Sequence, residues 1–199
     1  GAVDWRMGLA DIEHLAAHLL VHGGDGPGCH HQIAARRGHA VGIGADHRQL
    51  PRRGTLGIPL QAAPPEVRDP LGKLSAAQLA RVRAEAEADG PPLTVLLHYP
   101  PFPMGSPWLD ENMPLVNGEE LQAALLPAQH RLRGVFCGHL HRSSQITRSG
   151  ITYFCGPSTV AGYTWRPWEE KPLLDPDYPP GYSVVHYFDG QVVVHQYTF

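Results

Sequence analysis

Two stretches of the sequence deliver histidines in the same way. In LTVLLHYPP, residues 93 to 101, an apolar run ends at Leu97, His98 follows at once, and Pro100 and Pro101 stop the run from continuing. In GVFCGHLHR, residues 134 to 142, the apolar run ends at Cys137, and Gly138 leads into His139 and His141. A single loop histidine is ordinarily polar surface. Two buried strands that both end in histidine are a different case, because ligands of open α/β sheets bind in the crevice beyond the carboxyl ends of the strands. Residues i and i+2 leaving a strand can point to one side, so His139 and His141 can face a common centre while Leu140 turns to the core. Gly138 supplies the freedom for a tight turn.

Neutral imidazoles beside carboxylates suit zinc, manganese or iron. Two such ions about 3.5 to 4 Å apart can clamp a phosphate and activate water for in-line attack. The chain carries 13 histidines against 19 acidic residues, a ratio consistent with metal binding. Other polar residues have plainer readings. Asp110, Glu111 and Asn112 follow Trp108 in what reads as a solvated loop, and Asp46 and His47 read as a turn after a strand at Ala40 to Ile43. Cys137 and Cys155 lie in apolar runs and read as small core residues. Tyr163, Trp165 and Trp168 sit among prolines, where aromatic rings either stack on a base or pack the loop down.

The elements that must position these residues can be read from periodicity. Ile12, Leu15, Ala16 and Leu19 recur at helical spacing and predict a helix over about Asp11 to Leu20. Ser75 and Gln78 form a capping-box pattern ahead of Leu79, Val82 and Ala86, predicting a helix that ends near Asp89 and Gly90. A third helix is expected after Asn117 as cap, with an acidic first turn and a stop at Pro127. Strand character marks residues 93 to 97, 134 to 137, 151 to 155, 182 to 188 and 191 to 199, the last two joined by Asp189 and Gly190 as a hairpin. The first two are continuous apolar runs, as expected of strands covered on both faces by helices. Residues 22 to 32, 44 to 73 and 165 to 181, the last with five prolines, read as surface loops. Helices interleaved with buried strands indicate a layered α/β domain.

At 199 residues the chain suits a single domain, and its 42% hydrophobic content, 18% charged content and net charge of −3 suit a globular protein without an electrostatic footprint for nucleic acid or anionic membrane. No apolar stretch approaches the roughly 18 residues that span a bilayer, and no signal-peptide pattern opens the chain, so a cytoplasmic location is expected. Three widely spaced cysteines do not read as a disulfide framework.

Taken together, LHYPPFPMG, VFCGHLHR, the helix opener GKLSAAQLARV and the closing PGYSVVHYFDGQVVV resemble the C-terminal half of the calcineurin-like metallophosphoesterases, in the branch that contains the class III cyclic-nucleotide phosphodiesterases. The resemblance runs from about Gly72 to Phe199. It implies a four-layered αββα sandwich and hydrolysis of a phosphoester, most of all a phosphodiester such as a cyclic nucleotide, by a metal-activated hydroxide at a site for two divalent transition metals (Mn, Fe or Zn). It makes His98 and His139 ligands of the second metal and His141 a ligand of the first, with Tyr99 where many relatives carry another histidine. GPGCHHQ resembles the family's Pro-Gly-Asn-His-Asp, which puts Cys29 in the place of the metal-binding asparagine and His30 in that of the histidine that contacts the scissile phosphate. The remaining N-terminal motifs depart from the pattern. DIEH at 11 to 14 has the wrong spacing for the first motif. The Gly-Asp motif aligns first with GAVDWR, which has Ala2 for the aspartate and Asp4 two residues late; VHGGDG, which offers Asp25, ranks below it because the helix expected at 11 to 20 would then have no counterpart. A site with few carboxylates holds two cations poorly. Hence a catalytically degenerate homologue, acting as a metal-binding or regulatory protein, is the alternative. A missing first strand would expose surface that a second copy could cover in a homodimer.

Overall fold

The computed structural model describes residues 71–199 apart from Asp189, together with the backbone of two strands at 19–23 and 55–57. Along the chain these residues form β1 (Leu19–Gly23), β2 (Thr55–Gly57), α1 (Ala76–Glu87), β3 (Leu93–Leu96), α2 (Pro107–Asn112), α3 (Gly118–Leu125), a 3-10 turn (Leu126–Ala128), β4 (Leu132–Cys137), β5 (Ser144–Arg148), β6 (Ile151–Cys155), β7 (Gly162–Tyr163), β8 (Leu174–Asp175), β9 (Gly181–Phe188) and β10 (Gln191–Thr198).

The strands divide between a five-stranded sheet ordered β2-β3-β4-β6-β5, a three-stranded sheet ordered β1-β9-β10, and a small ribbon of β7 and β8. In the larger sheet β2, β3, β4 and β6 run parallel, and β5 closes the edge antiparallel to β6. Alternation along its central strands feeds two cores. Val95, Val135 and Tyr153 face the helices and pack with Val82, Leu121 and Leu125. Leu96 and Phe136, with Phe154 beside them, face the smaller sheet and pack with Val185, Tyr187 and Val194. The Phe136 and Phe154 rings stack with centroids 5.0 Å apart. The apolar runs of β3 and β4 are therefore covered by helices on one side only, and a second sheet covers the other. Among the described residues this gives a helix layer and two sheets, three of the four layers expected.

The helices form where local chemistry directs. Ser75 and Gln78 complete the capping box at α1, with Ser75 Oγ accepting from the Gln78 N–H at 3.2 Å and Gln78 Oε1 accepting from the Ser75 N–H at 2.8 Å. Arg131 closes the other end by donating to the carbonyls of Glu85, Ala88 and Pro91. Asn117 precedes α3 without capping it. Its amide instead accepts from the Leu74 N–H at 3.0 Å and donates to the Leu74 carbonyl at 2.9 Å, joining the approaches to α1 and α3.

Several expectations need correction. Leu19 and Leu20, placed at the end of a helix, lie in β1, where they pair with Ser183 and Val184 of β9. The rest of that expected helix lies outside the described residues. Pairing with a neighbouring strand overrides helical spacing in a short apolar run. The expected loops at 22–32, 44–73 and 165–181 contain the end of β1, β2 and β8 respectively. The supposed loop after Trp108 is the short helix α2, which Pro107 opens.

Candidate functional site

Main-chain hydrogen bonds continue past the ends of β3 and β4 and lock the two histidine-bearing loops together. The Leu97 N–H donates to the Phe136 carbonyl at 2.9 Å, and the Gly138 N–H donates to the His98 carbonyl at 2.8 Å. The Gly156 N–H, just beyond β6, donates to the Cys137 carbonyl at 2.9 Å. The Leu140 N–H then reaches back to the Gly138 carbonyl at 2.8 Å, closing a three-residue turn centred on His139. His139 has φ 68° and His141 φ 54°, so both sit in the left-handed region that L-residues adopt at a cost. Leu140, 2% exposed, holds this strained turn by anchoring it in the helix-side core. Backbone strain that the surrounding fold maintains is a mark of functional sites.

The result is a meeting of imidazoles. His98 Nε2 and His139 Nδ1 lie 2.9 Å apart. The Tyr99 ring packs on His139 at 4.3 Å between centroids. Room for Tyr99 depends on Gly72, where a Cβ would fall 2.2 Å from its ring. His141 stands beside this pair, buried, with Nδ1 lacking any hydrogen-bond partner. The Tyr163 ring lies along the other side, 5.4 Å between centroids at 27°.

Burial, followed by the proximity of His141, lowers the pKa of His98 to about 4. Burial also lowers that of His141, against the opposing pull of the Ala161 main chain. Both rings are neutral at pH 7, the form in which histidine binds metal. The buried Nδ1 of His141, which has no hydrogen-bond partner, is a nitrogen that an ion could satisfy. The residues present therefore fit divalent transition metals. They do not complete a cage, since among the described residues no group of three or more His, Cys, Asp or Glu side chains is placed to hold an ion.

Thus His98, His139 and His141 come to one region of the sheet, with His98 and His139 in direct contact. Cys29 and His30, together with Asp4, Asp25, Asp46 and His47, lie outside the described residues. Asp110 is structural, its carboxylate accepting from the N–H groups of Met104 at 2.6 Å and Gly105 at 3.0 Å. Cys137 and Cys155 are buried neighbours across β4 and β6, as expected of core residues. The Cys155 thiol and then burial hold the Cys137 pKa well above its ordinary value. Trp165 packs against the helix-side core, whereas Trp168 is 77% exposed. Sequence reasoning missed Arg142, Asp175 and Tyr178, which join the residue after His141 to the stretch that carries Tyr163. The adjacency of Arg142 to the histidine pair was a signal, but its partners lie more than 20 residues away in a proline-rich stretch.

No family model matches the chain. Curated proteins do. It is 27% identical over 124 residues to the 3',5'-cyclic adenosine monophosphate phosphodiesterase CpdA of Vibrio vulnificus, covering 62% of this chain and 44% of that protein. It is 35% identical over 95 residues to the CpdA of Escherichia coli K12, covering 47% of this chain and 34% of the relative. A probable cyclic nucleotide phosphodiesterase of Psychrobacter is 31% identical over 91 residues, covering 46% of this chain and 26% of the relative. The chain spans less than half the length of each of these relatives. Among the described residues no helix is long and apolar enough to cross a membrane.

Proposed function

We propose that the chain is a metal-dependent phosphoesterase whose substrate is a phosphodiester of the cyclic-nucleotide kind. The observation that carries this reading is the approach of His98 Nε2 and His139 Nδ1 to 2.9 Å at the ends of adjacent parallel strands, beside a His141 whose Nδ1 is buried and unpartnered. Two imidazole nitrogens that share an ion at about 2.0 to 2.1 Å lie about 3 Å apart, so the pair needs little rearrangement to bind one. In this reading His98 and His139 hold one ion and His141 another, with Cys29 as a further ligand and His30 serving the leaving oxygen. β1 ends at Gly23, so Asp25 follows a strand, which supports it as the bridging carboxylate in preference to Asp4.

A bound divalent ion, Mn, Fe or Zn, supplies Lewis acidity toward a phosphoryl oxygen and lowers the pKa of water. The protein's own residues supply the rest. Burial keeps His98 and His141 unprotonated, so neither must lose a proton to bind. The hydrogen bond from Gly138 to His98 fixes the separation of the two loops, and the strained turn with its Leu140 anchor turns His139 toward His98. The substrate class rests on the relatives named for hydrolysis of cyclic nucleotides.

A second reading, a homologue that binds metal without turnover, is favoured by one observation: no cluster of three ligating side chains exists among the described residues. The two readings part on a single assay. Hydrolysis of a chromogenic phosphodiester is followed with Mn, Fe and Zn in turn, for the wild type and His139→Ala. We expect turnover with at least one metal and its loss by a factor of 100 or more in the variant, on the order expected when a ligand to the catalytic ion is removed. Metal bound without turnover on any phosphoester would establish the second reading instead.

A further inference from the structure

The smaller sheet ends in an edge that its own sequence does not guard. β10 pairs with β9 in unbroken antiparallel register, from Gln191 opposite Phe188 to Thr198 opposite Gly181, and among the described residues β9 is its only strand neighbour. The Phe199 N–H continues this ladder by donating to the Pro180 carbonyl at 3.0 Å. Hydrogen bonding alternates along an antiparallel pair, so the odd-numbered residues of β10 exchange bonds with β9. Val192, Val194, Gln196 and Thr198 then aim their N–H and carbonyl groups at the open edge. Sheets ordinarily guard such an edge with charge, proline, a bulge or shortness. β5, at the edge of the larger sheet, follows that rule, being five residues long with Arg148 paired to Glu119. β10 has eight residues, and from Gln191 to Phe199 there is no Asp, Glu, Lys, Arg or Pro. Val192 and Val194 pack into the core between the sheets, and the alternate residues form the outer face. There Tyr197 stacks on Tyr182 and His195 stands against His186, each pair with centroids 5.3 Å apart, and Tyr197 and Phe199 are 45% and 70% exposed.

We propose that β10 is a dimerisation edge: it pairs antiparallel with β10 of a second copy about a two-fold axis at His195, joining the two three-stranded sheets into one. The occupant is a second copy because the edge is complementary to itself. In this register Val194 stands opposite the partner's Gln196 and Val192 opposite the partner's Thr198, and these are the residues whose main-chain groups point outward. Each such pair exchanges two hydrogen bonds. Centring on His195 pairs every residue from Gln191 to Phe199, whereas moving the axis along the strand leaves one end unpaired. On the outer face Tyr197 falls against the partner's Val193, an aromatic and β-branched pair of the kind that stabilises sheets. Identical strands without charged side chains meet without like-charge repulsion, which a strand carrying an arginine or lysine at its centre would not. Both copies use the same edge, so the assembly closes at two chains. The pairing is independent of the metal site and of the proposed function.

Sedimentation velocity of the full chain over a series of concentrations tests this. The wild type should sediment as a dimer that dissociates on dilution. Gln196→Pro removes an outward N–H while sparing the bonds to β9, and should raise the dimer dissociation constant about 10-fold or more. Should that variant fail to fold by circular dichroism, Thr198→Pro removes the next outward N–H and should act in the same direction. His195→Lys and His195→Glu each bring like charges together on the axis, at a position exposed in the single chain, and each should be monomeric at concentrations where the wild type is dimeric. An equimolar mixture of these two variants should dimerise, because Lys then faces Glu. His195→Gln, which brings no charge, should dimerise as the wild type does. A wild type that stays monomeric at every concentration overturns the proposal. So does a dimer that withstands the proline and the charged variants, which would lie at another surface, and so does a mixture of the Lys and Glu variants that stays monomeric.

Discussion

At the scale of single residues, the site is a compromise between backbone strain and donor placement. His139 and His141 occupy left-handed backbone although neither is glycine, and the turn about His139 closes on a Gly138 to Leu140 hydrogen bond. Replacing His139 by alanine or by glycine removes the same imidazole, yet alanine keeps the conformational penalty and glycine does not. His139→Gly should therefore be more stable than His139→Ala by about 1 kcal/mol in urea unfolding of metal-free protein. Burial adds a pH dependence. His98 has its pKa lowered from 6.5 to about 4, so between these values the unfolded chain binds a proton that the folded chain refuses. Folding is unpenalised by this group above pH 6.5 and progressively penalised as pH falls toward about 4. The urea midpoint of metal-free wild type should drop across that window, and His98→Asn should flatten the drop. The position of these histidines beyond strand ends was legible in the sequence, because they follow short apolar runs that read as buried strands. Their strain and the contacts of the neighbouring Arg142 were not, since neither a φ angle nor a contact across more than 20 residues leaves a local pattern.

At the scale of elements, what the sequence displayed depended on how much apolar surface each element buries. β3, β4, β6 and the β9–β10 hairpin appear within a residue or two of their expected bounds, since their side chains fill two cores. β5 went unseen: it lies at a sheet edge with partly exposed residues, and its hairpin to β6 turns at Ser149 and Gly150, both with positive φ. The two-residue strands β7 and β8 carry no periodicity to detect. Asn117 shows the other limit, for its expected capping role and its observed role use the same side chain. Loss of its amide in Asn117→Ala leaves the Leu74 N–H and carbonyl buried without side-chain partners, and should cost about 3 kcal/mol in unfolding free energy. An effect under about 1 kcal/mol, the value of an ordinary cap, would mean that the link between the approaches to α1 and α3 carries little.

At the scale of the molecule, the larger sheet serves as the platform, covered by helices on one face and by the β1-β9-β10 sheet on the other, with the histidines beyond the ends of β3 and β4. The layered α/β class was readable from the interleaving of helices and strands. That a second sheet covers β3 and β4 was not, because a continuous apolar run records burial on both faces without recording what covers them. Similarity to curated phosphodiesterases falls on this same chain without extending over half of any of the three relatives compared, so the account stands on the metal. Its most direct test is X-ray absorption at the metal edge on protein loaded with zinc and washed, for the wild type and the double variant His98→Ala/His139→Ala. The account predicts zinc retained by the wild type with imidazole scattering in its coordination shell, and both lost in the double variant. A wild type that retains no zinc, or a double variant whose shell is indistinguishable from the wild type, would contradict it.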